Sequence, residues 1–575
     1  MMQRFLAKIN KLDPWQAACI IAVIGLCVFF TGLTNPFEGD DTYQIVNNPP
    51  VHSIKNIVTF FESSTFYNGA KLSGDYYRPT MTVVFSLLYT LFGPHTVAFH
   101  IMQLALYVAS AFILYLVFKR FLKPSLALAL ALIFLVHPLN SQIVYAIPTM
   151  QDALFFFFGI LGLWLLISDE DRNLWYVAGS LLLAMLSKEA GFIFTFMALL
   201  YLIWFDRERI RSFLLTMILP VITYLVLKIN AVGINHVQRA APIDSANLVE
   251  RLLTMPSIIL FYLMKFIFPY KLATGYYWVY SAFSIPHVLA PLVIDVTILG
   301  LAVYFGFRIR HKLTKKQFHT YLFFSAWTAV GLVLYLQFIR LDMTACETWF
   351  YFAMAGLLGM IGVTLLSVKI RIQAEWLVVP VILLIVIFGV RSAVRGTDYR
   401  SQYDLAQHDI TNSPGDYAAM GNFSQSLIDR HRYKEAAVYA QRSIDIYPVV
   451  SNYNDLGVAR EQMGDYTGAA KAYTQALKYN DLNVIYENLG LILIVYSDPA
   501  TTNKFYQVAT SKFPNDFRLR VYLAIFEGAS GNTVNAKKDI QIAAKYDSVP
   551  PYIYNNIMND QPFALPLLGK TLVVR

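Results

Sequence analysis

The sequence predicts an all-α protein in two parts, a polytopic membrane domain followed by a helical repeat solenoid. Three observations carry this. Of 575 residues, 57% are hydrophobic and only 14% charged, and the mean hydropathy is +0.48, more apolar than a soluble protein of this length sustains. Long apolar runs alternate with short loops in which Lys and Arg gather. That pattern accounts for the net charge of +9 without any nucleic-acid partner. After Arg391 the chain turns polar and repeats itself.

The elements follow in order. Arg4, Lys8 and Lys11 precede the first acid, Asp13, which places the N-terminus on the cytoplasmic side. Trp15–Leu33 is about 19 apolar residues, long enough to cross a bilayer. It is followed by Thr34-Asn35-Pro36 rather than a small-residue cleavage site, so it reads as a retained anchor. The polar loop 34–79 is then outside, meaning periplasmic, extracellular or lumenal. From Thr80 to Val136 apolar character is broken at Phe92–His95 and at Lys119–Pro124. Two crossings here put a basic loop on the wrong side, so one helix lies flat or one loop breaks the charge rule. Further on, Asp206–Arg211, Arg308–His319 and Lys369–Arg371 are basic and cytoplasmic, with Ser168–Arg172 a short polar loop. That leaves 187–191, 232–255, 270–286 and 340–347 outside, with Met255–Phe268 lying along the surface. The expected total is about 11–13 spans, filling a membrane domain over residues 1–395.

A linker is expected at 396–410, helical repeats at 411–548 and a tail at 549–575. Tyr453, Leu456, Gly457, Ala469, Tyr473 and Ala476 recur as Tyr486, Leu489, Gly490, Thr502, Tyr506 and Ala509, a step of 33. A period near 34 with small residues at fixed places is the tetratricopeptide signature. Small residues let paired helices approach, and aromatics fill the layer between repeats. Pro448 and Pro514 end their helices. About four repeats fit, and their function belongs to protein or peptide binding.

The polar loop holds the residues best suited to chemistry. Asp40 and Asp41 are adjacent carboxylates just outside a span, an expensive feature unless water, a cation or a substrate attends it. Two like charges raise one pKa, and a carboxylate base can take a proton from an attacking hydroxyl. The competing reading is a cap for the helix starting near Thr42. Asp152 heads an apolar run and has the same two readings. Lys188 and Glu189 stand between two apolar helices, where they pair with each other or Lys188 faces a lipid phosphate. His137 before Pro138 reads as an interfacial histidine or a ligand contact. Glu347 heads a span, with Arg340 and Asp342 nearby. Tyr276, Tyr277, Trp278 and Tyr280 form an interface belt or a platform for a sugar or isoprenoid. Cys19, Cys27 and Cys346 give no disulfide framework and no zinc spacing.

Gly39-Asp40-Asp41, Ile45-Val46-Asn47-Asn48 and Tyr77-Arg78-Pro79 together resemble the first outside loop of the transmembrane and tetratricopeptide-repeat O-mannosyltransferases, of the C-type glycosyltransferase fold. The resemblance continues at His137-Pro138, Gln151-Asp152-Ala153-Leu154, Leu186–Gly191 and Glu347–Tyr351, and the repeats complete it. It implies transfer of a sugar, usually mannose, from a polyprenyl-phosphate donor to a hydroxyl, with inversion and without a cofactor or divalent metal. It implies Asp40 as base, Asp41 as the residue that orients the acceptor or Asp40 itself, and Asp152 as a second outside acid. An acceptor protein would bind through the repeats. The chain departs from the pattern at Glu347-Thr348, where the family has Glu-Arg, at Met150-Gln151-Asp152, where it has Arg-x-Asp, and at Ser141-Gln142, where a Glu follows His-Pro. Arg78 and Arg340 are the candidates to replace the two missing cations, since a guanidinium pairs bidentately with phosphate. Two rival readings stand beside this one: transfer to a lipid or cell-envelope glycan, and a non-catalytic membrane scaffold recruiting partners through its repeats. A transporter is disfavoured by the lack of a duplicated half.

Overall fold

The computed structural model describes residues 7–67, 76–168, 173–233, 241–367 and 374–574. Arg4, residues 68–75 of the polar loop, 169–172, 234–240 and the basic loop Lys369–Arg371 lie outside the described residues. The chain divides into two compact units, Met1–Pro414 and Gly415–Arg575.

In the first unit, prolines and polar caps start the helices. Pro14, Pro79 and Pro124 each open one, where the missing N–H costs nothing. Gly93, at φ 65°, closes Pro79–Phe92, and Thr96–Lys119 follows. Among the described residues seven helices are long and apolar enough to cross a membrane, and eight if the bent pair Pro124–Val136 and Pro138–Tyr145 is one span. The bend of 51° falls at His137-Pro138, where proline cannot continue the hydrogen-bond ladder. Three further apolar helices, Pro79–Phe92, Leu174–Ser187 and Glu189–Phe205, have only 10–17 residues. A 14-residue helix is about 21 Å long, short of the ~30 Å hydrocarbon core. The eight and these three together make 11 apolar helical segments, the lower end of the expected 11–13 spans. The helices pack closely where small residues permit. A Cβ at Gly359 would meet the Phe324 ring at 2.3 Å, and one at Gly356 the backbone of Thr328 at 2.6 Å, the small-residue approach on which membrane packing relies.

The stretch expected as a linker is folded. Asp398–Arg400 makes a turn and Gln402–Asn412 a helix capped by Ser401. Asp409 accepts hydrogen bonds from Thr274 of the first unit, so 396–410 is part of that unit's packing.

The second unit is four antiparallel helix pairs. They are Tyr417–Asp429 with Tyr433–Ile446, Val450–Gln462 with Tyr466–Ala476, Asn483–Tyr496 with Pro499–Lys512, and Phe517–Ala529 with Thr533–Ala543. The repeated Gly and Tyr have a direct physical cause. A Cβ at Gly457 would meet the Tyr473 ring at 2.4 Å, and one at Gly490 the Tyr506 hydroxyl at 2.6 Å. In these two pairs the tyrosine of the second helix lies over the glycine of the first. The expected tail is folded too: a helix Pro551–Met558 and an antiparallel hairpin of β1 (Phe563–Leu567) and β2 (Lys570–Val574). This hairpin departs from the all-α expectation. Its turn, Leu568-Gly569, has φ of 48° and 75°, the doubly left-handed turn that matches strand twist, and Phe563 and Val574 bury against Ile540 and Ala543.

Gly457→Ala is expected to overpack the Tyr473 contact and cost about 1–3 kcal/mol. Calorimetry of the full chain should show a lower unfolding midpoint for the repeat transition alone.

Candidate active site

The polar loop is tied down at both ends of the described chain. Asn35 donates to the Gly396 carbonyl at 3.2 Å, and His100 bonds the Asn35 carbonyl at 3.2 Å. Gly39 takes φ 59°, a left-handed turn that a β-carbon would strain, and the chain then enters the short helical stretch Asp40–Val46. The two acids face different surroundings. Asp41 is 4% exposed, and its carboxylate accepts the Glu38 N–H at 3.2 Å, closing the turn on itself. Burial pushes its carboxyl well above the usual range. Asp40 is accessible, yet protein surrounds it on most sides. Burial pushes its pKa up, the Arg78 guanidinium pulls it back, and Asp342 pushes it up again.

Arg78 organises the opposite wall. It precedes the helix Pro79–Phe92 and is 8% exposed. Its guanidinium carbon sits 4.0 Å over the Tyr76 ring, and its Nε lies 3.7 Å from Glu189 Oε2. Tyr76 in turn donates its hydroxyl to Asp342 at 2.8 Å, while the Tyr77 N–H donates to Glu189 at 3.4 Å. One arginine is thus held by a ring and a carboxylate beside an accessible acid. Behind it, Lys188 Nζ donates to Asp152 Oδ1 at 2.6 Å, with side-chain exposures of 10% and 2%. Lys188 is extended between the helices Leu174–Ser187 and Glu189–Gly191, and Asp152 lies in the first turn of Met150–Ser168. Asp40, Arg78, Glu189, Lys188, Asp152 and Asp342 form one connected network. Lys188 and Glu189 do not pair with each other.

The structure does not bring every expected residue here. His137 is fully buried. Its Nδ1 accepts the Leu139 N–H, so its Nε2 carries the hydrogen donated to the Phe266 carbonyl at 2.9 Å. Both nitrogens are committed to structure, which corrects a ligand-contacting role. Arg340 is exposed and makes no hydrogen bond or ion pair among the described residues, so a role as replacement cation has no contact behind it. Asp41 props the turn rather than facing Arg78. Glu347 belongs to a second, fully buried cluster: it accepts from the Ala273 N–H at 2.7 Å and the Tyr276 hydroxyl at 3.0 Å, and lies 3.9 Å from Arg395. Arg395 also lies 3.2 Å from Asp398 and 3.8 Å from Asp409. Tyr276 and Trp278 pack on Phe261, so the first half of the aromatic cluster is core, not an open platform. Sequence reasoning missed Asp342, Tyr76 and Arg395 as site residues. Tyr76 stands directly before the quoted Tyr77-Arg78-Pro79, and Asp342 close to Arg340. No group of three metal-ligating side chains gathers among the described residues.

Residues 78–231 match the family model described as dolichyl-phosphate-mannose-protein mannosyltransferase. The chain is similar to that family over this segment. The matched segment begins at Arg78 and contains Asp152, Lys188 and Glu189, four members of the network. Among individual relatives, a protein O-mannosyl-transferase of Caenorhabditis elegans is 25% identical over 178 residues, covering 30% of this chain and 26% of the relative. One of Homo sapiens is 25% identical over 212 residues, covering 32% and 28%. The chain thus spans about a quarter of the length of the curated relatives it matches. Among solved structures, ArnT from Cupriavidus metallidurans bound to undecaprenyl phosphate aligns over 80% of each chain at 14% identity and TM-score 0.38. The Archaeoglobus fulgidus oligosaccharyltransferase tethered with an acceptor peptide aligns over 98% of this chain and 74% of its own, at 11% identity and TM-score 0.40.

Lys188→Met leaves Asp152 buried without a partner, which costs about 3–5 kcal/mol. Lys188→Met with Asp152→Leu should recover most of that, because the lone buried charge is gone. Thermal unfolding of the two full-length variants checks the order.

Proposed function

We propose that this chain is a membrane glycosyltransferase that moves a sugar, with mannose the favoured one, from a polyprenyl-phosphate donor to a hydroxyl acceptor. The observation that carries the reading is an accessible carboxylate of raised pKa, Asp40, set beside an arginine fixed by Tyr76 and Glu189 and adjoining the segment matched to the mannosyltransferase family.

The chemistry follows from those groups. Asp40, in its ionised form, takes the proton from the acceptor hydroxyl as the oxygen attacks the anomeric carbon. The bond from that carbon to the phosphate oxygen breaks on the opposite face, so the configuration inverts. The lipid phosphate leaves with the bonding electrons, and Arg78 offsets the charge it gains. Asp41 fixes the turn that aims Asp40. Lys188 and Asp152 act through Arg78 and Glu189, by holding the wall on which the arginine rests. The scheme uses no cofactor and no divalent cation. The acceptor is the Ser or Thr of a protein in this reading, and the helix pairs of the second unit are the element suited to engaging a polypeptide.

Sidedness supports the reading as well. Taking Pro79–Phe92, with only 14 residues, as the helix that lies flat restores the alternation of sides, with Leu174–Ser187, Glu189–Phe205 and Lys315–Val333 each crossing. Lys119–Pro124, Asp206–Arg211 and Arg308–His319 then share the cytoplasmic face with the N-terminus. The pair Leu174–Ser187 and Glu189–Phe205 leaves the parity unchanged. Asp40, Arg78, Asp152, Lys188 and Glu347 all fall at outer ends of helices in this topology.

Asp40→Asn keeps the side chain's shape and removes the base, so transfer from a polyprenyl-phosphate sugar should fall about 10²–10⁴-fold with the unfolding midpoint unchanged. In the wild type the rate should fall as pH drops through the raised pKa of Asp40, so the acid limb should lie above the ordinary carboxylate value of 3.8. Wild-type transfer rates in Asp40→Asn, measured by mass spectrometry of the acceptor, would remove Asp40 from the mechanism.

A further inference from the structure

Away from the Asp40 network, a second set of cations outnumbers the carboxylates it shares. Lys265, Lys271, Arg391 and Arg395 act on one another as neighbouring charges. The carboxylates in reach are already used. Asp398 and Asp409 pair with Arg395, and Glu347 is occupied by Arg395, Tyr276 and the Ala273 N–H. Lys265, Lys271 and Arg391 form no ion pair among the described residues. Lys265 Nζ rests 5.4 Å from the Phe261 ring centre and 5.2 Å from that of Tyr276, and Arg391 donates to the Tyr270 carbonyl at 3.1 Å. All three remain solvent-accessible in part or in full.

Their setting is the membrane boundary. Lys265 is in the last turn of Leu248–Ile267, and Arg391 is near the end of Ala374–Arg395. His137 clamps these two helices: its ring stacks on Phe266 with centroids 5.3 Å apart and meets Phe388 edge-on at 4.7 Å. On one flank Met264, Ile267 and Phe268 are 48–66% exposed, and on the other Ile387, Val390 and Val394 are 53–62% exposed. Cations without an ion pair beside exposed apolar side chains suit a lipid with an anionic head. In the topology argued above these cations lie on the outer face, where basic residues are under-represented, so their clustering asks for a reason.

We propose that Lys265, Lys271 and Arg391 bind the phosphate headgroup of an anionic glycerophospholipid, whose acyl chain lies along the exposed apolar side chains of Leu248–Ile267 and Ala374–Arg395. Phosphate is the chemistry three converging donors of fixed charge select. The site is separate from the sugar-transfer chemistry: neither Asp40, Arg78, Lys188, Asp152 nor Glu189 is among the charges acting on Lys265 or Arg391. The proposal rests on the outer placement of these helix ends and not on the glycosyltransferase reading.

The test uses the full-length protein in mixed micelles of phosphatidylglycerol and phosphatidylcholine, with native mass spectrometry counting retained lipid. Wild type should retain phosphatidylglycerol in preference, and Lys271→Gln and Arg391→Gln should each weaken that preference roughly 5-fold, the effect of about 1 kcal/mol per cation at an anionic surface. Lys271 is exposed, so its variant keeps the fold, and unfolding midpoints control for the other. Equal retention of both lipids by wild type, or an unchanged preference in both variants, would overturn the proposal. So would displacement of phosphatidylglycerol by an equal concentration of undecaprenyl phosphate, which would give the site to isoprenoids.

Discussion

The geometry of the site depends on where one guanidinium is held. Arg78 sits at the joint between the polar loop and the first helix after it, 8% exposed, and it has to be satisfied there or the loop would not close. Tyr76 stacks under it, Glu189 faces its Nε, and Asp40 feels its charge. Each of these partners comes from a different part of the chain. A cation removed from water is costly unless carboxylates and a ring surround it, so Arg78 draws the outside loop, the turn at Ser187–Gly191 and the Asp342 loop towards one place. Asp40 owes its chemical character to the balance that results. Burial and Asp342 raise its pKa and Arg78 restrains the rise, which leaves a carboxyl that is more basic than usual.

The same device appears twice more. Lys188 is enclosed with Asp152, and Arg395 with Glu347, Asp398 and Asp409. In each case a fully or nearly buried cation at the water-facing end of the helices is surrounded by acids drawn from distant segments. Arg395 also resolves a puzzle in the sequence. The related family has an arginine directly after the glutamate that matches Glu347, and here that position is Thr348. The cation is instead supplied from the end of Ala374–Arg395, and it arrives beside the same glutamate. Helix packing brings together what the linear motif lacks.

Much of this was legible in the residues. The apolar runs, the basic loops and the Gly–Tyr repeat are visible in one dimension, because each rests on composition or spacing, whereas Arg78, Asp152, Lys188 and Glu189 stand out through the family resemblance. What failed was direction and the choice of crossings. Adjacent acids look equivalent in sequence, but the left-handed turn at Gly39 sends Asp40 outward and Asp41 inward. His137 precedes a proline either way, and only the helix that packs over it reveals that both nitrogens are occupied. Hydropathy alone registers Pro79–Phe92 without fixing whether it crosses or lies flat. The hairpin β1–β2 was missed because Leu568-Gly569 lacks the asparagine or aspartate that usually marks such a turn.

The coupling of Arg78 to Asp40 is the claim on which the account stands, and the pH dependence of kcat/KM tests it most directly. Arg78→Gln removes the charge that holds the Asp40 pKa down, whatever else it does to the absolute rate. The acid limb of the profile should therefore move to higher pH relative to wild type. An acid limb at the same pH in both proteins would mean that Asp40 is not the group whose ionisation limits transfer, or that Arg78 does not face it.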